Sequence, residues 1–446
     1  MSPLRTRYLI PALTLALACV DGAERTPTNP RAAPNSQAVG VASAARVVTH
    51  DDMLEAVANI EPAFGGFYFR NNVLHVVLTD VTRSPVAVRR ALTTVFSDQR
   101  LATAPLIVEK GVYGFAQLAV WGRFLPRVFS VSGVVSTDID EVNSKLSIGV
   151  TTDAAIPAAR ALLMGLNVPR AAITFHADQI QVALQSSSAS LGGEVRQILG
   201  GVHIDTNSPA IFCTLGLNVS FGGQASFMTD GHCSNSWGVP NDATNFWQAF
   251  RSVNADFAGL EGTESRTFGT ATDSRCSGQY LCKWSDADFV PYAQSMVTQQ
   301  SMGYFARTTT RTPLDSNLVI NSSNPTIPIT SKTLFPFVGD VVDKVGARTG
   351  WTYGAVTEAC VTKLVRDLSG QIMEMVCVDV VSAGAGRGDS GAGVFVYDQS
   401  TGNASWAGQL ISGGSFNGLV YTNYLFAPLN NIQAEFGNVP ATIYGQ

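Results

Sequence analysis

The sequence predicts an N-terminal half of mixed α/β (α+β) structure and a C-terminal half that is all-β with one closing helix. Three observations predict it. Between residues 49 and 196 strand-like apolar runs alternate with helical periods. Beyond about residue 197 short β-prone runs alternate with Gly, Asn and Ser turns, and no long helical period returns before Leu429–Phe436. All six interior cysteines also fall in this second half, as sequential pairs. With 446 residues, 46% of them hydrophobic and 14% charged, the chain has core material for two or three domains and is not a mostly disordered one. Its net charge of −5 offers no general attraction to nucleic acid.

Residues 1–18 read as an export signal. Arg5 and Arg7 precede an apolar run, Tyr8 to Val20, that contains Pro11 and is too short to span a membrane. Ala16-Leu17-Ala18 fits a small-x-small cleavage pattern, and the cut would leave Cys19 first, as in a lipid-anchored precursor. An ordinary signal peptide and a lipoprotein signal are both open. Residues 19–48, rich in Ala, Pro, Ser, Thr and Asn, read as a tether.

Residues 49–196 hold two passes of one pattern. Leu74–Leu78 is strand-like and leads through Thr79-Asp80 into a helical period from Pro85 to Phe96. Leu146–Val150 leads through Thr151–Asp153 into a second helix, Ile156 to Leu166. Tyr113–Phe124 is a further expected helix. His50, His75 and His176 stand without a motif, and Ser186–Leu191 with Gly192-Gly193 reads as a junction.

In residues 197–446 the expected strands include Ala210–Cys213, Leu217–Phe221 and Ser226–Thr229, with residues 307–333 a loop or a passage between two β halves. The cysteine pairs Cys213/Cys233, Cys276/Cys282 and Cys360/Cys377 are 20, 6 and 17 residues apart. In an exported chain these read as three local disulfides. None has the C-x-x-C spacing of a metal site, so neither metal nor cofactor is expected.

Chemistry concentrates in Gly386–Gly393, G-R-G-D-S-G-A-G. A serine among glycines suits a tight turn whose N–H groups converge on one spot, as a nucleophile beside an oxyanion hole requires. Phe227–Cys233 ends a strand with His232 beside a cysteine, which would fix the backbone of a general base. Cys282–Val290 offers two carboxylates to orient that base, Asp286 where the apolar strand begins and Asp288 with the same side-chain parity. His203 is the other histidine after Ser186 and has no motif around it.

The order His…Asp…Ser, with Gly231-His232-Cys233 early and Gly388-Asp389-Ser390-Gly391 late, resembles the chymotrypsin-like serine proteases, above all bacterial secreted enzymes of the α-lytic protease and streptogrisin kind. Ile198–Val202 is similar to the family's mature N-terminus, Cys213–Cys233 to its histidine-loop disulfide, Lys344–Gly350 to the opening of its second barrel, and Ser412-Gly413-Gly414 to the strand that pairs with substrate backbone. Asp230 stands where the family usually has alanine, and Ala392 replaces the second glycine of the usual G-D-S-G-G.

The resemblance implies two antiparallel six-stranded β-barrels with a C-terminal helix. It implies a triad of His232, Asp286 and Ser390, with the Gly388 and Ser390 amides as oxyanion hole and a cationic partner, Lys344, for Asp389. By position, Ala385, Ile411, Ser412, Gly413 and Gly414 would line the pocket for the residue before the cut. No acidic residue stands there, so an apolar preference is expected, and Phe416 or Leu419 would reshape the pocket. Residues 49–196 would be a pro-region that assists folding and inhibits until cleaved near Arg196–Ile198. The expected partners are polypeptide substrates and the chain's own pro-region, in a secreted zymogen with an anchor at Cys19 as the variant. Esterase chemistry on the same triad, or an inactive binding protein on the same scaffold, are the alternatives.

Overall fold

The computed structural model describes residues 48–183, 191–206, 212–239, 242–249, 256–260, 263–264, 273–367, 369–415 and 420–439. The export signal, Cys19, nearly all of the tether, Phe416, Leu419 and most of the Ser186–Leu191 junction lie outside the described residues. Among the described residues no helix is long and apolar enough to cross a membrane.

The first part of the chain folds as one motif used twice. Helix His50–Ile60 starts at Thr49, whose hydroxyl accepts from the Asp52 amide while the Asp52 carboxylate accepts from the Thr49 amide. Strands Phe64–Arg70 and Val73–Leu78 then form a hairpin across Asn71-Asn72, both at positive φ as a two-residue primed turn demands. Helix Pro85–Val95 opens with a proline in its first turn and returns the chain so that Leu106–Lys110 lies parallel to Val73–Leu78. The second copy repeats the sequence of events. Helix Phe115–Gly122 is shorter than the Tyr113–Phe124 period, since the chain tightens into a 3-10 turn at Leu125–Ser130. Strands Val134–Asp140 and Lys145–Val150 pair antiparallel, helix Ile156–Gly165 crosses, and Ile173–Ala177 lies parallel to Lys145–Val150.

The later part is strand-rich and ends in helix Leu429–Phe436, stopped by Gly437 at φ 78°. One four-stranded sheet contains His203–Thr206, Phe212–Thr214, Asn245–Gln248 and Asp256–Leu260. Another contains Leu217–Phe221, Gln224–Asp230, Thr263–Glu264 and Ala287–Pro291. Residues 307–333 are more ordered than a loop, with strands Arg311–Thr312 and Thr326–Lys332 pairing into the larger sheet. All three local disulfides form as the cysteine order implied.

One strand joins the two parts. Gly350–Arg366 is 17 residues long, pairs antiparallel with Ile372–Val381, and extends far enough that Thr362 and Lys363 pair with Thr137 and Ser136. The sheet of the second N-terminal copy thereby continues into the C-terminal half. Phe337 is the apolar anchor of the same seam. It is buried within the N-terminal core, its ring 5.0 Å from Phe67 and 5.3 Å from Phe96. Across the seam Arg100 pairs with Asp340 and Lys363 with Asp178.

Candidate active site

The strand Gln224–Asp230 runs along Ala287–Pro291, with Asp230 opposite Ala287, so the chain entering one strand stands beside the chain leaving the other. That register brings His232 and Asp286 together. The Asp286 carbonyl accepts from the Gly231 amide at 2.6 Å, and Cys213–Cys233 ties the residue after His232 to the neighbouring strand. His232 Nδ1 lies 2.6 Å from Asp286 Oδ2, and its Nε2 lies 2.8 Å from Ser390 Oγ. All three residues are buried. Of the two carboxylates left open by the sequence, Asp286 faces His232, while Asp288 lies opposite Thr229 in the sheet. His203 is buried against the Phe212 ring, and burial holds it down at about pKa 3.

The serine turn is held by a buried ion pair. Asp389 Oδ2 accepts from Lys344 Nζ at 2.9 Å, Thr349 Oγ1 at 2.6 Å and the Gly386 amide at 2.8 Å; Oδ1 accepts from the Arg348 and Thr349 amides. Burial raises the carboxyl, but Lys344 and these donors outweigh it and leave Asp389 below its ordinary value. Burial pulls Lys344 down as well, with Asp389 opposing it. A Cβ at Gly346 would run into the Asp389 carboxyl, so glycine is required there by close approach. Gly388 takes φ 108°, and its carbonyl accepts from Thr214 Oγ1, while the Thr214 amide donates to the Ser390 carbonyl. Among the described residues the Gly388 amide has no acceptor.

The pocket residues divide. Ala385 bridges to Tyr421 and is buried with Leu410 and Tyr424 in a small cluster, whereas Ile411 belongs to the main core. Ser412 and Gly413 do meet an extended partner, but it is the chain itself: Ser412 pairs antiparallel with Ala183 and Gly413 with Val182. Gln181 and Val182 also lie parallel to Val365 and Arg366.

Sequence reasoning missed four participants. Trp237 Nε1 donates to Asp286 Oδ1 at 2.5 Å, and Lys283 Nζ donates to the same oxygen at 3.0 Å. Burial raises Asp286, but Lys283, His232 and Trp237 outweigh it and bring it to about 2. Gln409 donates to Asp230, and Thr214 positions the serine turn. Lys283 stood in the quoted run Cys282–Val290, three residues from Asp286, and a buried carboxylate's need for a cation was the available signal. Trp237 and Gln409 carry no such signal, because their contacts are long-range. Asp230, His232 and Asp286 also cluster closely enough to hold a cation, but the Lys283 ammonium already faces Asp286.

The chain is similar to bacterial chymotrypsin-like serine proteases. Solved structures it matches include a glutamic acid-specific serine protease (21% identity, 54% of this chain and 98% of that one, TM-score 0.36). Cellulomonas bogoriensis chymotrypsin matches at 21% identity over 55% of this chain and 98% of its own, with a TM-score of 0.35. Thermobifida fusca protease A matches at 20% over 54% and 96%, with a TM-score of 0.33. No family model and no curated protein matches the chain.

Proposed function

We propose that this protein is a secreted serine endopeptidase made as a zymogen, with Ser390 as nucleophile, His232 as general base and Asp286 as its orienting carboxylate on a two-barrel scaffold. The hydrogen-bond chain from Ser390 Oγ through His232 to Asp286 carries the reading. In this mechanism Ser390 Oγ attacks a peptide carbonyl as His232 Nε2 takes its proton, and the proton then passes to the leaving amine. The Gly388 and Ser390 amides hold the oxyanion, and losing one such donor typically costs about 10²–10³ in rate. Water then hydrolyses the acyl-enzyme by the same route.

Residues 49–183 act in this proposal as folding assistant and inhibitor. Support comes from the segment Gln181–Ala183, which occupies the edge offered by Ser412 and Gly413. An antiparallel partner on that edge is what a substrate backbone would be. By backbone register Ala183, opposite Ser412, stands where the residue before the cut would lie. The proposal also moves the mature boundary upstream of the expected Arg196–Ile198. Leu191 is fully buried in the C-terminal core, its carbonyl accepts from the His203 amide, and Arg196 donates to Gln248. Three disulfides suit an oxidising, extracellular setting, and in the lipid-anchored variant of the precursor Cys19 would carry the anchor.

Fluorophosphonate labelling tests the nucleophile: an unlabelled Ser390 in processed protein would sink the enzyme reading. Ser390→Ala should lose at least about 10⁴-fold in activity and accumulate as the uncut chain. N-terminal sequencing of processed wild type checks the boundary, and a peptide-library digest separates peptidase from esterase.

A further inference from the structure

Asp230 lies two residues before His232 and is fully buried. Its Oδ2 accepts from the Gly391 amide at 2.7 Å, and Gly391 is the residue after Ser390. Its Oδ1 accepts from Gln409 Nε2 at 2.5 Å. Both oxygens therefore face N–H donors, the arrangement a carboxylate satisfies. The same Oδ2 stands 3.8 Å from His232 Nδ1, too far for a hydrogen bond but close enough to act on a charged imidazole.

Asp286, at the same ring nitrogen, is engaged through both of its oxygens. One oxygen meets His232 and the other meets Lys283 and Trp237. Lys283 is fully buried, so its charge is not screened by solvent. An ammonium 3.0 Å from Asp286 cancels much of the field that carboxylate exerts on the imidazolium. The chain compensates with a second carboxylate, Asp230, 3.8 Å from the same ring nitrogen. Glu435 of the closing helix also acts on Lys283 and Asp286; it accepts from Ser285 Oγ and is raised to about 8 by burial. Below that pH it is mostly protonated and adds little charge. Burial, with Asp286, raises Asp230 well above its ordinary value against the pull of Gly391, Gln409 and Lys283, but both of its oxygens accept from N–H groups, the geometry of an ionised carboxyl rather than a protonated one.

We infer that Asp230 and Lys283 are opposed positioning residues of the base: Asp230 favours protonated His232 and clamps the turn after Ser390 to the histidine strand, and Lys283 opposes that protonation through Asp286. The inference rests on the serine-protease reading for its consequence in catalysis, but the His232 titration itself does not depend on that reading.

The test uses full-length Ser390→Ala protein labelled with ¹³C-histidine, with the His232 imidazole titrated by NMR. Adding Asp230→Asn, which keeps an acceptor for Gly391 and removes the charge, should lower the His232 pKa by roughly one unit. Adding Lys283→Met should raise it by a similar amount, and the two together should fall between. In enzyme with Ser390 intact, the acid limb of kcat/KM should move the same way. A titration of Asp230→Asn that superimposes on its parent, or variants that shift in the same direction, would overturn the inference. A merely structural Asp230 would lower the melting temperature without moving the imidazole. If the imidazole shifts but fluorophosphonate leaves Ser390 unlabelled, the functional reading fails and the charge assignment stands.

Discussion

At the candidate active site, Asp286 and Asp389 are buried beside Lys283 and Lys344, and both are held below their ordinary values. At the seam between the N-terminal region and the strand Gly350–Arg366, Asp138, Glu141 and Asp379 are buried almost as deeply. There the balance tips the other way. Burial raises Asp379 to about 8 despite the Cys360 amide, and burial with neighbouring carboxylates raises Asp138 and Glu141 well above their ordinary values. Asp138 lines a cavity of about 800 Å³ at this seam, together with Asp52, Glu55 and Asp273. Carboxyls nearly as dry are thus stabilised as anions where Lys283 and Lys344 are supplied, while Asp138, Glu141 and Asp379, on which no lysine is set among the described residues, are held protonated. One set is built to stay charged. The other would suit the contact that the proposed maturation gives up.

The largest expected effect breaks the lysine side of this comparison. Lys344→Met leaves Asp389 buried without its cation and should cost about 3–5 kcal/mol of stability, measured by denaturant unfolding, with the serine turn losing fluorophosphonate reactivity. Phe337→Ala attacks the seam through packing instead. It should cost about 3–5 kcal/mol and loosen the N-terminal region first, read by hydrogen exchange at residues 64–78 in the Ser390→Ala chain. Loss confined to the C-terminal half would contradict the seam's role.

Trp237→Phe keeps the ring and removes one donor to Asp286. A hydrogen bond to a charged group is worth about 1.5–3 kcal/mol, so kcat/KM should fall roughly ten- to hundredfold. The smallest effect is the pH dependence. Asp379, Asp138 and Glu141 hold protons in the folded chain at pH values where the released chain has lost them. For Asp379 that contribution is fullest below about pH 4 and declines as pH rises through about 8, and Asp138 and Glu141 act in the same sense. Asp286 and Asp389 work in the opposite sense, contributing above about pH 4 and losing that contribution toward pH 2. In the Ser390→Ala chain, Asp138→Asn should flatten the alkaline decline in seam protection, read by hydrogen exchange. An unchanged slope would remove Asp138 from the account.

Much of this was legible along the chain. Helix Pro85–Val95, helix Ile156–Gly165 and the closing helix follow from local period and capping chemistry. The disulfides follow from cysteine order. The parts that were not legible depend on distant pairing. Nothing local marks Gly350–Arg366 as long enough to reach Ser136 and Thr137, and nothing in Gln181–Ala183 marks it as the partner of Ser412 and Gly413. Asp230 was visible as a departure in the histidine motif, yet its tie to Gly391 spans 161 residues.

By itself the sequence determined which residue types carry charge, which segments are helical or extended, and which serine and histidine stand in reactive settings, because these depend on neighbours within a few positions. Tertiary structure alone decided the partners. It placed the expected Asp286 against His232, set Lys283 and Trp237 on Asp286, and, among the described residues, set no lysine on Asp138, Glu141 or Asp379. The physical reason is that the state of a buried carboxylate depends on the groups that replace its water, and folding brings those groups from elsewhere in the chain.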